Sequence, residues 1–140
     1  MLVLTSKKYE IEEPIRVNNE DGSILYEFNM QITPDEMKEI KDLLFDDKNI
    51  DLAKKSAKEK DFDKKDEIDQ EIISRAYVLQ EKFENLCFKE NKEPFKKACG
   101  EYKYLEMVDL IYDFFMNTFI DKRAKQVNTI STNLKKIGNN

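Results

Sequence analysis

The sequence predicts an α+β fold: a small N-terminal antiparallel β-hairpin or three-stranded sheet packed on a mainly helical body with a long C-terminal helix. Three observations carry this. Apolar residues alternate at a period of two over residues 7–32 and recur at helical spacing beyond Pro34. Pro34, Pro94 and Gly100 stand where helices should start and stop. The chain has 140 residues, nine Phe and six Tyr, enough for one domain with a real core and no staples. Residues 1–140 therefore read as a single domain, with a hairpin region over 1–33 and a helical region over 34–140. Helix should outweigh strand by more than two to one.

The hairpin is the first element. Tyr9, Ile11, Ile15 and Val17 share one parity, and Ile24, Tyr26, Phe28, Met30 and Ile32 share another. Alternation of that kind puts each set on one face of a sheet. The stretch Asn18-Asn19-Glu20-Asp21-Gly22 supplies residues that tolerate the positive φ of hairpin turns. Pro14 marks an edge strand or a bulge. Residues 1–5, Met-Leu-Val-Leu-Thr, are candidates for a third strand.

Helices follow. Thr33-Pro34-Asp35-Glu36 has the form of a capping box with proline at the first helical position. Met37, Ile40, Leu43 and Leu44 then make an apolar stripe toward the sheet, ending near Phe45. A second helix is expected over residues 51–59, within a run dense in Lys, Asp and Glu, with a break at Asp61-Phe62-Asp63. From about Asp66 to Glu90, Ile72, Ala76, Leu79, Phe83 and Leu86 form a heptad-like stripe about two heptads long. That suits a packed helix better than a free coiled coil. Asn91 to Glu93 breaks it, a short helix runs from Phe95 to Cys99, and Gly100 stops it in the left-handed conformation.

The last helix begins near Tyr102. From Val108 to Ile120 it is apolar nearly all round. A helix of that kind is central in the core or binds something on its second face. Beyond Asp121 the composition changes. Val127, Ile130, Leu134 and Ile137 form a narrow stripe on a tail, from about residue 122, that carries Lys122, Arg123, Lys125, Lys135 and Lys136 and no acid. Residues 1–70 carry −7 and residues 71–140 carry +2.

Composition narrows the chemistry. With no histidine there is no imidazole base and no histidine metal ligand. Cys87 and Cys99 are too few for a four-ligand zinc site and read as free thiols among apolar neighbours. Three scattered glycines make no phosphate-binding loop. Arg16, Arg75 and Arg123 are the only arginines, and net charge is −5, so nucleic acid is not an expected partner. No apolar run reaches the ~20 residues of a membrane span. The opening Met1-Leu2-Val3-Leu4 is too short for a signal peptide, so a cytoplasmic location is expected.

Acidic groupings are weighed next. Asp61, Asp63, Asp66, Glu67 and Asp69 lack the glycine of a calcium loop and are interrupted by lysines, so they read as a solvated helix start. Glu12 and Glu13 are neighbours on a strand and point to opposite faces. The sequence thus reads as non-catalytic, with no cofactor and no metal. Its candidate partner-binding residues are Phe114, Phe115, Phe119, Ile120, Val127, Ile130 and Leu134, chosen because the apolar excess of the last helix and tail would form an exposed patch. Core packing is the competing reading for half of the aromatic cluster Tyr102, Tyr104, Tyr112, Phe114, Phe115 and Phe119.

Taken in order, the elements carry a resemblance. The hairpin runs into a capped helix through Ile24-Leu25-Tyr26-Glu27-Phe28-Asn29-Met30-Gln31-Ile32-Thr33-Pro34-Asp35-Glu36. A charged helical middle, the segment Phe83-Glu84-Asn85-Leu86-Cys87-Phe88, a turn bracketed by Pro and Gly, and the long last helix follow. This layout resembles the small tail assembly chaperones of phages and prophages from low-GC Gram-positive bacteria. The resemblance implies a non-catalytic protein of the host bacterial cytoplasm. It would bind the hydrophobic helical tape-measure protein and help tail-tube subunits assemble around it. Two alternatives stand beside it. One is a structural virion or adaptor protein, a homo-oligomer that self-associates through its C-terminal helix. The other is an acidic phage-borne inhibitor of a host nucleic-acid enzyme.

Overall fold

The computed structural model describes residues 1–120. Of these, 67% are helical and 14% are strand, so helix outweighs strand as the periodicity requires. The elements are β1 (Ile11–Asn18), β2 (Ile24–Ile32), α1 (Pro34–Leu44), α2 (Asp47–Lys58), α3 (Phe62–Phe88), a 3-10 turn (Lys89–Asn91), α4 (Lys92–Cys99) and α5 (Glu101–Phe119). They fall into two compact units. Of the described residues, one comprises 1–40 and 83–110; the other comprises 41–82 and 111–120.

In the first unit β1 and β2 pair antiparallel, with Ile11 opposite Ile32, Ile15 opposite Phe28 and Val17 opposite Tyr26. The period-two reading holds. Ile11, Met30 and Ile32 are buried, whereas the alternating Glu12, Arg16, Glu27 and Asn29 are exposed. A bulge between Val17 and Asn18 shifts the register, and beyond it Ile24 is exposed. The turn closes at residues 19–23. The Asn19 N–H donates to the Ser23 carbonyl at 2.7 Å, and Gly22 takes φ 87°. The Ser23 hydroxyl and N–H both donate to Asp21, and these bonds hold its carboxyl below the usual aspartate range.

The third strand does not form. The sheet has two strands, and Met1, Leu2, Val3 and Leu4 are exposed and belong to no element. Residues 6–10, Ser-Lys-Lys-Tyr-Glu, bend at Lys8 and Glu10 but hold only Ser6 among the residue types that favour tight turns, and the chain does not fold back onto β1.

The capping box forms as expected. The Glu36 N–H donates to Thr33 Oγ1 at 3.2 Å, and the Thr33 N–H donates to Glu36 Oε1 at 2.9 Å. Met37 and Ile40 of α1 are buried. The short helix α4 starts at Lys92, earlier than expected, because Pro94 falls in its first turn where a missing N–H costs nothing. Gly100 does take positive φ, 78°, but its ψ of 159° is extended, not left-handed helical. Only glycine occupies that region readily. Its N–H closes α4 on the Lys96 carbonyl, and its carbonyl accepts the Tyr104 N–H that opens α5, each at 2.9 Å.

In the second unit the helix boundaries move toward the N-terminus. Asp46 caps α2 by accepting the Lys48 N–H at 3.0 Å, so the helix begins at Asp47 and not at 51. Likewise Asp61 accepts the Asp63 N–H at 3.0 Å, and α3 begins at Phe62. The Asp61-Phe62-Asp63 break is thus real, but it is the cap of the longest helix. Polar side chains join α2 to α3. Arg75 donates to both Asp46 and Asn49, Lys48 lies 3.6 Å from Glu71, and the fully buried Ser56 bonds Asp69. Lys65 completes that last group, 3.0 Å from Asp69 and 3.3 Å from Ser56.

Candidate functional site

The surface that could meet a partner is set by how the aromatic residues divide between core and solvent. In the first unit most of them go inward, Tyr102 excepted. The Tyr26 and Phe95 rings stack with centroids 5.4 Å apart. Phe88 meets Phe28, Phe95, Phe83 and Tyr104 edge-on. The Tyr26 hydroxyl donates to Asn91 at 2.9 Å, which ties β2 to the turn before α4. Phe88 and Phe95 are central to this cluster, yet the sequence singles out neither as core; Phe88 is the last residue of α3 and Phe95 lies in a helix of only eight residues, too short to show a period.

Tyr104 lies at the floor of the same cluster and donates its hydroxyl to Glu84, which is itself buried. Burial, then the bond to Glu84, pushes the Tyr104 hydroxyl far above the usual tyrosine range. Burial does the same to the Cys87 thiol, more weakly to Cys99, and raises Tyr112 to about 12. None of these groups is poised to give up a proton near neutrality, and both thiols are free.

The partner candidates divide as follows. Phe115 is fully buried and Ile120 is 5% exposed, so these two serve the core. Phe119 is half-buried, with its ring 5.7 Å from Phe115 and 6.0 Å from Phe114. Phe114 is 40% exposed and faces outward. Val127, Ile130 and Leu134 lie outside the described residues. Sequence reasoning missed Leu105 and Leu110, which α5 also presents to solvent, and Tyr77 and Val78 of α3. On α5 the missed signal is the helical offset from the buried row Tyr104, Val108, Ile111 and Phe115. Leu105, Leu110 and Phe114 all lie off that row, Leu105 on one flank and Phe114 on the other, although Met116, also off it, is buried.

The acidic groupings are accounted for locally. Asp61 caps α3, Asp69 takes Ser56 and Lys65, and Asp46 takes Arg75. Glu12 and Glu13 lie opposite Gln31 and Met30, on alternate faces of the hairpin. Among the described residues no group of three or more His, Cys, Asp or Glu is placed to hold a metal ion, and no helix is long and apolar enough to cross a membrane. Compared with known family models, curated proteins and solved structures, the chain matches none.

Proposed function

We propose that this protein is a non-catalytic, protein-binding factor that works as a tail assembly chaperone, holding an apolar helical tape-measure protein soluble while tail-tube subunits assemble around it. One observation supports the reading most directly. Helix α5 buries Tyr104, Val108, Ile111 and Phe115 and still presents Tyr102, Leu105, Leu110 and Phe114 to solvent. Exposed apolar side chains repeated along one helix are the chemistry by which an apolar helix is recognised. The basic tail from about residue 122, with its narrow apolar stripe Val127, Ile130, Leu134 and Ile137, follows that helix in sequence. It would add an apolar row with a cationic flank.

The test is co-expression of the tagged protein with the genes that flank its own, followed by affinity capture. Recovery of a long tape-measure protein, lost on Phe114→Asp or Leu110→Asp with the fold intact, is the expected result. Recovery of the chain alone, together with its persistence in finished particles, would replace the chaperone reading by the structural one.

A further inference from the structure

The first unit carries an unpaired apolar arm and an unpaired sheet edge. Residues 1–8, Met-Leu-Val-Leu-Thr-Ser-Lys-Lys, hold no element. Met1, Leu2, Val3 and Leu4 are 74–115% exposed, more than any other run of large apolar side chains among the described residues. Among the described residues the sheet beside them has only β1 and β2, so each strand has one edge with no strand neighbour there. Two strands are marginal by themselves, and an open edge is a template for another strand.

The arm does not fill that edge within its own chain, where residues 6–10 hold Ser6 alone among the favoured turn residues. A second copy has no such constraint. We propose that two copies of this chain pair reciprocally, the arm of each adding antiparallel to β1 of the other.

Register and charge both fit. An antiparallel pairing that sets Lys7 opposite Glu12 of the second copy also sets Leu4 opposite its Ile15 and Leu2 opposite its Val17. Ile15 and Val17 are half-buried and have apolar surface left to cover; Glu12 is exposed on the other face. Leu2 and Leu4 share one parity and Lys7 has the other. Leu2 and Leu4 therefore meet Val17 and Ile15 on the inner face and Lys7 meets Glu12 on the outer face, while Ser6 and Lys8 fall on the inner face opposite Glu13 and Ile11, and Val3 on the outer face opposite Arg16. The arm holds two lysines and no acid, whereas Glu10, Glu12 and Glu13 crowd the start of β1. Pro14, opposite Thr5, has no N–H to give and costs the three-stranded arrangement one ladder bond, so the pairing rests on the residues either side of it. The pairing is isologous: each contact occurs twice across a two-fold axis. It involves neither α5 nor the tail, so it stands or falls apart from the chaperone reading.

The experiment is sedimentation of the full chain from micromolar to about 0.1 mM. A monomer–dimer equilibrium is expected. Leu2→Asp/Leu4→Asp should weaken it at least about tenfold with circular dichroism unchanged, since both side chains are exposed in the single chain. Lys7→Glu and Glu12→Lys should each weaken their own homodimer, and an equimolar mixture of the two variants should recover dimer, because the mixed pair restores both ion contacts. A chain that stays monomeric throughout, a dimer indifferent to Leu2→Asp/Leu4→Asp, or a mixture without recovery would each overturn the proposal.

Discussion

Lys89 holds its ammonium 3.1 Å from the Glu36 carboxylate, and the backbone of Lys89 is left-handed at φ 51° to put it there. The same ammonium donates to the Gln31 carbonyl at the end of β2 and, at 2.9 Å, to the Leu86 carbonyl near the end of α3. Glu36 in turn accepts the Thr33 N–H that caps α1. One side chain therefore joins the ends of a strand and of two helices in the first unit. A non-glycine residue at positive φ costs about 1 kcal/mol, and three charge-assisted bonds offset it.

Substitution separates the two contributions. Lys89→Ala loses the ammonium and keeps the strained φ, and should cost about 2 kcal/mol in urea unfolding. Lys89→Gly loses the same bonds but relieves the backbone. It should be about 1 kcal/mol less damaging than Lys89→Ala. If glycine proves as costly as alanine, the left-handed residue stores no strain.

Glu36 also sets an acid limit. Burial alone would raise its pKa, but the Thr33 N–H and the Lys89 ammonium together bring it below the ordinary 4.5. A carboxylate with a depressed folded pKa contributes stability that is full above the unfolded value and is lost as pH falls through the folded one. Stability should therefore decline below about pH 4.5. In Glu36→Gln that part of the decline should vanish, at the cost of lower stability at neutral pH. Parallel wild-type and variant curves between pH 5 and pH 3 would count against Glu36.

Tyr104 acts at the opposite end of the scale. Its folded pKa is raised by burial and by Glu84, so its contribution is full below the ordinary value of 10 and is lost as pH climbs above it. Tyr104→Phe should cost about 1–3 kcal/mol at neutral pH, because the buried Glu84 loses a donor. It should also flatten the alkaline decline. A variant with wild-type stability would mean that the hydroxyl bond contributes nothing net.

Local chemistry was legible in the sequence and distant chemistry was not. Thr33 and Glu36 are three positions apart, so their box can be read from spacing. The parity of β2 likewise identified Met30 and Ile32 as buried. Lys89 has partners at Gln31 and Glu36, and Arg75 has partners at Asp46 and Asn49; no spacing rule connects residues so far apart. Helix α5 shows the limit for the candidate surface. Where both sides of a helix are apolar, period alone cannot say which side the rest of the chain will cover. Phe114 and Phe115 are adjacent and equivalent as sequence, yet one is exposed and the other fully buried.

That adjacent pair gives a sharp comparison. Phe115→Asp places a carboxylate among buried side chains and should cost more than about 4 kcal/mol, enough to abolish the cooperative melt. Phe114→Asp should stay within about 1 kcal/mol of wild type. Equal losses would mean that Phe114 is as buried as its neighbour. If only Phe115→Asp unfolds the chain, loss of partner binding in Phe114→Asp can be read as loss of a contact.

The two thiols report on the first unit without any added label. Cys87 is 2% exposed, and burial holds its thiol well above the usual range despite the pull of Lys89; Cys99 is half-buried on the short helix α4. The thiolate is the reactive form, so Cys87 lacks both access and nucleophile in the native state. In Cys99→Ser, a thiol reagent at neutral pH should modify Cys87 at least about 100-fold more slowly than in the urea-unfolded chain. The rate should rise with urea along the same curve as the loss of helix by circular dichroism. Modification well before that transition would mean that the end of α3 opens independently of the helices. Lys89→Ala should bring such opening forward, because its ammonium bonds the Leu86 carbonyl in the same last turn as Cys87.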